Sequence, residues 1–269
     1  MPYIEVADGV ELFVQDVGQG PAVVLIAGFG LDHEVWDRQV RVLATTHRVV
    51  CVDQRGHGRS SKPLEGYDIA ELGRDLLTAL ERLDIDSCTL VGWSFGGQVA
   101  FEATANDHRG LIARLVLVGS NAVRASRGPT FPFGLTAEQL EPALVAAECG
   151  DRISARRAAL LSGFHQPPSE DTLHWLLRIS LEMPSWAAVA CYQSMLRSDL
   201  TGRIDEVTVP VLQITGRRDP VHSAKGALWL RERLVDARLS VIDDCGHYPM
   251  LEAADRLDEL LTAFVTPAT

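Results

Sequence analysis

Apolar runs alternate along the first half of the chain with segments of helical periodicity. The runs are rich in β-branched residues and carry no charge apart from Arg48 at the start of one of them: Ala22–Ala27, Arg48–Val52, Cys88–Val91 and Leu115–Val118. Such runs are typical of strands in a parallel sheet that is covered on both faces. Two further strands, Tyr3–Val6 and Glu11–Val17, flank the turn Asp8-Gly9 and form a predicted hairpin.

The clearest helical pattern lies between residues 68 and 83. Its apolar stripe has helical spacing, and Asp68 with Glu71 resembles a capping box; the stripe is Ile69, Leu72, Leu76, Leu80 and Leu83. A second helix is predicted over Val35–Ala44. This alternation of strand and helix predicts an α/β fold with a doubly wound, mostly parallel sheet.

The alternation stops after the sixth predicted strand. From Asn121 to Arg203 only helical patterns are found: Ala137–Cys149, Ile153–Gly163, Asp171–Leu181 and Trp186–Ser198. Strands resume with Val211–Gly216 and Leu239–Ile242, and a last amphipathic helix covers Met250–Phe264. We therefore predict a core made of residues 1–120 and 204–269, and an inserted helical cap over residues 121–203.

Composition narrows the classes of partner and cofactor. The 269-residue chain has a net charge of −11, whereas nucleic-acid binding needs a basic face. Its five cysteines are odd in number and lack metal-ligand spacing, so we expect reduced core thiols and no metal. Met1–Glu5 has no signal-peptide character, and no apolar run approaches a membrane span, so we expect a cytoplasmic protein that does not contact the membrane.

The pentapeptide Gly92-Trp93-Ser94-Phe95-Gly96 carries the most specific chemistry. It joins a strand to a helix, where two glycines allow a sharp turn that exposes the Ser94 hydroxyl above the sheet. A serine hydroxyl is a weak nucleophile that needs a base, and that base needs an orienting acid. His247 and Asp219 follow later strands in the required order, so we predict the catalytic set Ser94, Asp219 and His247. Alone, Ser94 could be a helix N-cap and Asp219 a turn residue.

Other candidates for the acid and the base are weaker. The position after the sixth strand is Gly119-Ser120-Asn121, which has no carboxylate. His57 lies in a turn-rich segment and is expected to support the site, and His222 is too close in sequence to Asp219 to serve as the base.

Two backbone N–H groups should stabilise the oxyanion of a tetrahedral intermediate. We predict the amide of Phe95, which follows the nucleophile, and the amide of Phe29 in the loop Ala27-Gly28-Phe29-Gly30. That loop could instead be a simple glycine-rich turn. It does not match G-x-G-x-x-G and lacks a following Lys-Ser/Thr, so no nucleotide cofactor is expected.

These motifs resemble the α/β-hydrolase superfamily over essentially the whole chain. The matching segments are Gly28–Gly30, Asp53–Ser60, Gly92–Gly97, Gly216–Asp219 and Gly246–Pro249. Many members carry His-Gly where this chain has Ala27-Gly28, which leaves the rigidity of the oxyanion loop open. The serine at the elbow distinguishes the chain from haloalkane dehalogenases and epoxide hydrolases, which carry aspartate there.

The resemblance implies a serine hydrolase that cleaves a small-molecule carboxylic ester or lactone through an acyl-enzyme. The alternatives are a cofactor-free haloperoxidase or perhydrolase, a C–C bond hydrolase, and a hydrolase-like binding or signalling protein. We predict that Trp93, Phe29, Trp186 and Tyr248 contact the substrate. The chain also resembles pimeloyl–acyl-carrier-protein methyl ester esterases, whose cap arginines meet an acidic carrier protein. Arg152, Arg156 and Arg157 could do the same here, or could form an ordinary solvated helix face.

Overall fold

The sheet of the computed structural model, which describes residues 2–266, has eight strands in the order β1-β2-β4-β3-β5-β6-β7-β8. Their bounds are β1 Tyr3–Ala7, β2 Val10–Val17, β3 Ala22–Ile26, β4 Arg48–Val52, β5 Cys88–Trp93, β6 Ile112–Val118, β7 Val211–Gly216 and β8 Ala237–Ile242. β2 pairs antiparallel with both β1 and β4, and all the other pairs are parallel. The predicted doubly wound, mostly parallel sheet is confirmed.

Ten α-helices and two 3-10 helices accompany the strands in the described range. The α-helices are α1 Asp37–Leu43, α2 Ile69–Arg82, α3 Phe95–Ala105, α4 Ala137–Cys149, α5 Arg152–Ser162, α6 Glu170–Leu181, α7 Ser185–Arg197, α8 Ala224–Arg231, α9 Pro249–Glu252 and α10 Ala254–Val265; the 3-10 helices are His33–Trp36 and Thr201–Glu206. Helices α4 to α7 lie between β6 and β7 in the chain, with α4 against α7 and α5 against α6. All four predicted insertion helices are found within two residues of their expected bounds. The division into core and cap domains stays a prediction.

Both faces of the sheet are buried, which explains the continuous apolar strands. Leu90 and Leu117 face the cluster that includes α2 and α3, whereas Val91 and Val116 face the cluster that includes α1 and α10. Because successive side chains of a strand point to opposite faces, a strand covered on both sides has no polar positions to alternate with. Parallel pairing brings the carboxyl ends of β3, β5, β6 and β7 to one edge of the sheet.

Local details differ from the sequence predictions at three places. The Asp68 side chain makes no capping bond; the Ile69 N–H instead donates to Ser194 Oγ at 2.9 Å. The predicted helix over 250–264 is broken at Ala253, where φ is −141° and ψ is 45°. Cys149 is exposed rather than part of the core, because it ends the outer side of α4.

The described helices include none with both the length and the apolar character that a membrane span requires.

Candidate active site

Ser94 occupies a strained turn between β5 and α3, with φ 54° and ψ −117°. The turn is possible because Gly92 and Gly96, two residues before and two residues after Ser94, have no side chain. A Cβ added to Gly92 would lie 2.4 Å from the Gly96 carbonyl oxygen, and one on Gly96 would lie 2.3 Å from the Ala27 carbonyl oxygen. Strain of this kind persists only where the surrounding structure enforces it, and it is concentrated at functional sites.

The structure brings Ser94, His247 and Asp219 together in one hydrogen-bonded line. His247 Nε2 lies 2.9 Å from Ser94 Oγ, and His247 Nδ1 lies 2.9 Å from Asp219 Oδ2. Because the carboxylate can only accept, Nδ1–H donates to it and the lone pair of Nε2 faces the serine hydroxyl. Ser94 is 9% exposed and His247 is 5% exposed, so the line of residues is largely shielded from water.

The pKa of Asp219 is lowered below its usual value of 3.8 although the carboxyl group is buried. Burial raises the pKa, but the charge and hydrogen bond of His247 lower it more, together with the influence of His222. The second oxygen, Oδ1, accepts the backbone N–H groups of Val221 at 2.8 Å and His222 at 2.9 Å. Asp219 is therefore fixed as an acceptor for His247.

Two hydrogen bonds to the backbone of His247 hold the loop that carries it. The Trp93 indole N–H donates to the His247 carbonyl oxygen at 2.8 Å, and the His247 N–H donates to the Gly163 carbonyl oxygen at 2.8 Å. The Trp93 and His247 rings lie 5.4 Å apart. Trp93, predicted to contact the substrate, thus lies beside the histidine and is 2% exposed.

His222 lies nearer to this site than the sequence indicated. Its ring centre is 5.6 Å from that of His247, and its Nδ1 is buried with no hydrogen-bond partner within residues 2–266. Burial lowers the pKa of His222 to about 4, and the nearby His247 contributes in the same direction. Its position three residues after Asp219 is the signal that could have placed it here.

The amides of Phe29 and Phe95 both lack a protein hydrogen-bond partner in the described part of the chain. The glycine before Phe29 packs closely on the nucleophile, since a Cβ added to Gly28 would lie 3.0 Å from Ser94 Cβ. Gln54, which the sequence reasoning missed, donates from Nε2 to the Ala27 carbonyl oxygen at 2.8 Å. Its amide therefore anchors the loop by the backbone at Ala27.

The other residues predicted to contact the substrate are placed differently from one another. Tyr248 is buried between Trp93 and Phe164, stacking on Phe164 with ring centres 4.2 Å apart. Trp186 is 48% exposed, and its indole N–H donates to the Pro63 carbonyl oxygen at 3.1 Å. Helix α7 buries Ala187, Ala188 and Cys191, which leaves Trp186 on its outer side, so its position gives no support for a substrate contact.

The three cap arginines do not form one exposed face. Arg156 is 3% exposed and makes two hydrogen bonds, of 2.9 and 2.6 Å, to the buried carboxylate of Glu148. Arg152 donates to the Leu181 carbonyl oxygen at 2.9 Å, and Arg157 pairs with Glu170. Arg156 therefore fits neither a carrier-binding face nor a solvated helix face, because its guanidinium pairs with the buried carboxylate of Glu148.

One group of potential metal ligands occurs within residues 2–266: Asp32, His33 and Asp53. Its atoms already hold the loop after β3 in place. His33 donates to Asp53 Oδ1 from both its backbone N–H at 2.8 Å and its Nδ1 at 2.9 Å, and Asp32 accepts the Glu34 N–H. Burial, together with the nearby Asp53, raises the pKa of Asp32 to about 6. This network accounts for the cluster without a metal ion.

Known proteins share both the sequence pattern and the fold. The family model for the α/β-hydrolase fold matches residues 21–254. The pimeloyl-[acyl-carrier protein] methyl ester esterase of Aromatoleum aromaticum is 31% identical over 238 residues, which cover 86% of this chain and 92% of that protein. The esterase EaEST of Exiguobacterium antarcticum has a TM-score of 0.93 at 26% identity, with 98% of each chain covered. A bromoperoxidase from Bacillus anthracis has a TM-score of 0.90 at 25% identity, with 95% of each chain covered.

Proposed function

Since this chain belongs to the α/β-hydrolase family, we propose that it is a serine hydrolase that cleaves a carboxylic ester or lactone through an acyl-enzyme. The observation that carries the proposal is the pair of 2.9 Å contacts joining Ser94, His247 and Asp219. The names of the similar esterases favour ester substrates.

In the first half of the proposed reaction, Ser94 Oγ attacks the substrate carbonyl carbon while His247 Nε2 removes its proton. The carbonyl π electrons move onto the oxygen, and the amides of Phe29 and Phe95 donate to that oxyanion. The tetrahedral intermediate collapses, the C–O bond to the leaving group breaks, and His247 delivers the proton to the leaving oxygen. Asp219 stabilises the imidazolium that exists between these two proton transfers.

In the second half, water replaces the alcohol. His247 removes a proton from water as the water oxygen attacks the acyl carbon, and the same two amides receive the new oxyanion. Collapse breaks the bond to Ser94 Oγ, which regains a proton from His247. The products are the free acid and the original enzyme. A lactone follows the same steps and yields one hydroxy acid.

The similar bromoperoxidase favours a second candidate in which hydrogen peroxide takes the place of water in this second half. Attack of the peroxide oxygen on the acyl-enzyme would release a peracid, which would then oxidise halide in solution. Halogenation of monochlorodimedone in acetate buffer with added peroxide and bromide tests this candidate with the same purified protein.

The reaction class does not identify the substrate, because specificity depends on the cap and not on the fold. A carrier-protein substrate is named for the esterase of A. aromaticum. For this chain we favour a small-molecule ester, since Arg156 is buried against Glu148 and cannot meet a partner.

The test is hydrolysis of p-nitrophenyl esters of increasing acyl length by the wild type, Ser94→Ala and Ser162→Ala. Ser162 is an exposed serine at the end of α5 and serves as the matched control. We expect Ser94→Ala to lose turnover by at least about a thousandfold with its circular dichroism unchanged, and Ser162→Ala to retain it. A fluorophosphonate probe should label the wild type and not Ser94→Ala. Turnover that survives in Ser94→Ala would refute the proposed mechanism.

A further inference from the structure

The oxyanion loop is held from the cap as well as from the sheet, and one cap side chain makes the closest ring contact to it. We propose that Tyr192 of α7 is a positioning residue that fixes the direction of the Phe29 amide. The proposal rests on the proposed function, since it gives that amide a role in catalysis.

The contact is a ring stack across the boundary between α7 and the loop after β3. The rings of Tyr192 and Phe29 have centres 4.1 Å apart and planes inclined by 24°. On its other sides the Phe29 ring meets Phe95 edge-on at 6.4 Å and His57 edge-on at 6.4 Å. Phe29, which is partly buried, is therefore contacted by α7, by α3 and by the loop after β4. Tyr192 closes the side that faces the cap.

The loop is closed by one turn hydrogen bond, from the Leu31 N–H to the Gly28 carbonyl oxygen at 3.2 Å, and packing of its side chains adds the remaining restraint. Phe29 lies between Gly28 and Gly30, and Gly30 has a φ of +71°. Glycine permits many backbone conformations, so neither neighbour limits the orientation of the intervening peptide. Between the two glycines, Phe29 has the only side chain through which packing can fix that peptide. Gln54 restrains the backbone at Ala27 alone.

A second cap helix reaches the same loop and holds the contact in register. A Cβ added to Gly30 would lie 3.3 Å from Ser180 Oγ at the end of α6. The Ser180 carbonyl oxygen accepts a hydrogen bond from Arg156, which is bound in turn to Glu148. Because both charges are buried and paired, α4, α5 and α6 are joined at the point where the cap touches the loop. Helix α7, which carries Tyr192, packs against α4 of this group.

The consequence is that the packing of α7 on the loop contributes to the geometry of the oxyanion hole. A small displacement of the Phe29 N–H weakens its hydrogen bond to the oxyanion. The ground-state ester is bound almost as before. Loss of the stack should therefore lower kcat and leave KM nearly unchanged. A residue that only lined the acyl pocket would instead change KM.

The experiment compares Tyr192→Leu, Tyr192→Phe and the cap control Ile153→Ala, whose wild-type side chain is 55% exposed. Each is assayed for kcat and KM on one p-nitrophenyl ester and for the inhibition constant of an alkyl trifluoromethyl ketone. Ser94 Oγ adds to the ketone carbon, His247 takes the proton, and the ketone oxygen becomes the oxyanion, so the inhibitor reports on the hole directly. We expect Tyr192→Leu to lose about 10- to 100-fold in kcat and to weaken the ketone by a similar factor, since deleting a whole donor costs about 100- to 1000-fold. Tyr192→Phe and Ile153→Ala should stay within about threefold of the wild type.

If Tyr192→Leu is poorly folded, Phe29→Leu keeps the proposal falsifiable, because it should show the same losses of kcat and ketone affinity; where both variants fold, a double-mutant cycle adds a second test. Phe29→Leu removes the same stack from the other side, so Phe29→Leu combined with Tyr192→Leu should lose no more kcat than either single variant. Additive losses overturn the proposal, as does a change confined to KM or an unaltered ketone affinity. A loss in Tyr192→Phe equal to that in Tyr192→Leu assigns the effect to the hydroxyl group and also overturns it. A wild type that neither turns over esters nor binds the ketone refutes the proposed function itself, which the other outcomes leave standing.

Discussion

Acid should destabilise this protein through His57, which is fully buried between the two predicted oxyanion donors. Its ring stacks on Phe95 at 6.0 Å and meets Phe29 edge-on at 6.4 Å. Nδ1–H donates to the Arg55 carbonyl oxygen at 3.0 Å, whereas Nε2 is buried without a partner within residues 2–266. Burial lowers the pKa of His57 from 6.5 to about 4, because a second proton would have to be placed on Nε2 in an apolar surrounding.

The sign of the effect follows from proton uptake. Between pH 6.5 and pH 4 the unfolded chain protonates His57 and the folded chain does not, so the unfolded state binds more protons and stability falls as the pH falls. With the two pKa values of 6.5 and about 4, the free energy of unfolding should drop by about 3 kcal/mol from pH 7 to pH 4. His222, whose pKa is also lowered to about 4, adds a second contribution of the same sign. Asp32 opposes both, because its raised pKa of about 6 lets the folded state take up a proton first.

A variant whose residue 57 cannot titrate separates the contribution of His57 to the pH dependence from those of His222 and Asp32. His57→Asn keeps an N–H donor near the Arg55 carbonyl oxygen but cannot titrate. Urea unfolding of the wild type and the variant at several pH values from 7 to 4.5 gives the free energy of unfolding at each pH. Near pH 5 the wild type should lose about 1.2 kcal/mol more per pH unit than the variant, whatever the difference between them at pH 7. Ile153→Ala, at a side chain that is 55% exposed and does not titrate, should have the wild-type slope. Equal slopes for the wild type and His57→Asn would show that folding does not hold His57 neutral.

Two further substitutions test the elbow and the loop after β4. Gly96→Ala places a Cβ 2.3 Å from a backbone carbonyl oxygen and should displace the Ser94 turn, so we expect at least about a hundredfold loss of esterase turnover. The control Gly202→Ala, with no atom within 4 Å of its Cβ, should retain wild-type kinetics and melting temperature. Arg55 pairs with Asp75 through two 2.7 Å hydrogen bonds, and the two side chains are only 6% and 4% exposed. Arg55→Met should therefore lower the free energy of unfolding by about 3 to 5 kcal/mol in urea, because it leaves a buried carboxylate unpaired. Adding Asp75→Leu should recover much of that loss, and no recovery would show that the unpaired carboxylate is not its cause.

The sequence predicted the sheet well because its strands face apolar layers on both sides. Runs such as β3 and Leu115–Val118 of β6 have no polar face, and this pattern distinguishes them from amphipathic helices. The elbow was equally predictable, since Gly92 and Gly96 leave no room for any other residue. Steric requirements of this kind depend on neighbours in the chain or on adjacent strands. A short sequence pattern is therefore enough to predict these steric requirements.

The contacts of the cap depend on tertiary packing and were not predictable in the same way. Trp186 and Tyr192 lie on one helix and are both aromatic, yet one is 48% exposed and the other stacks on Phe29. The weakly amphipathic sequence of α7 does not reveal which side meets the sheet. Arg156 illustrates the same difficulty, because only its pairing with Glu148 explains a buried guanidinium. A charge that is neutralised by a distant partner looks like a surface charge in the sequence.

Burial also decides which histidine near Ser94 can act as the base. His57 lies against Phe95, and His222 lies beside His247, so both are close to the proposed nucleophile. Both have a pKa lowered to about 4, because each is buried with a ring nitrogen left unpartnered and no carboxylate bonded to its ring. A base of that strength removes a serine proton poorly near neutral pH. Of these three histidines, His247 alone has a carboxylate on one nitrogen and Ser94 on the other. The same burial that shields the site therefore lowers the pKa of the two neighbouring imidazoles, which supports the proposal that His247 is the base.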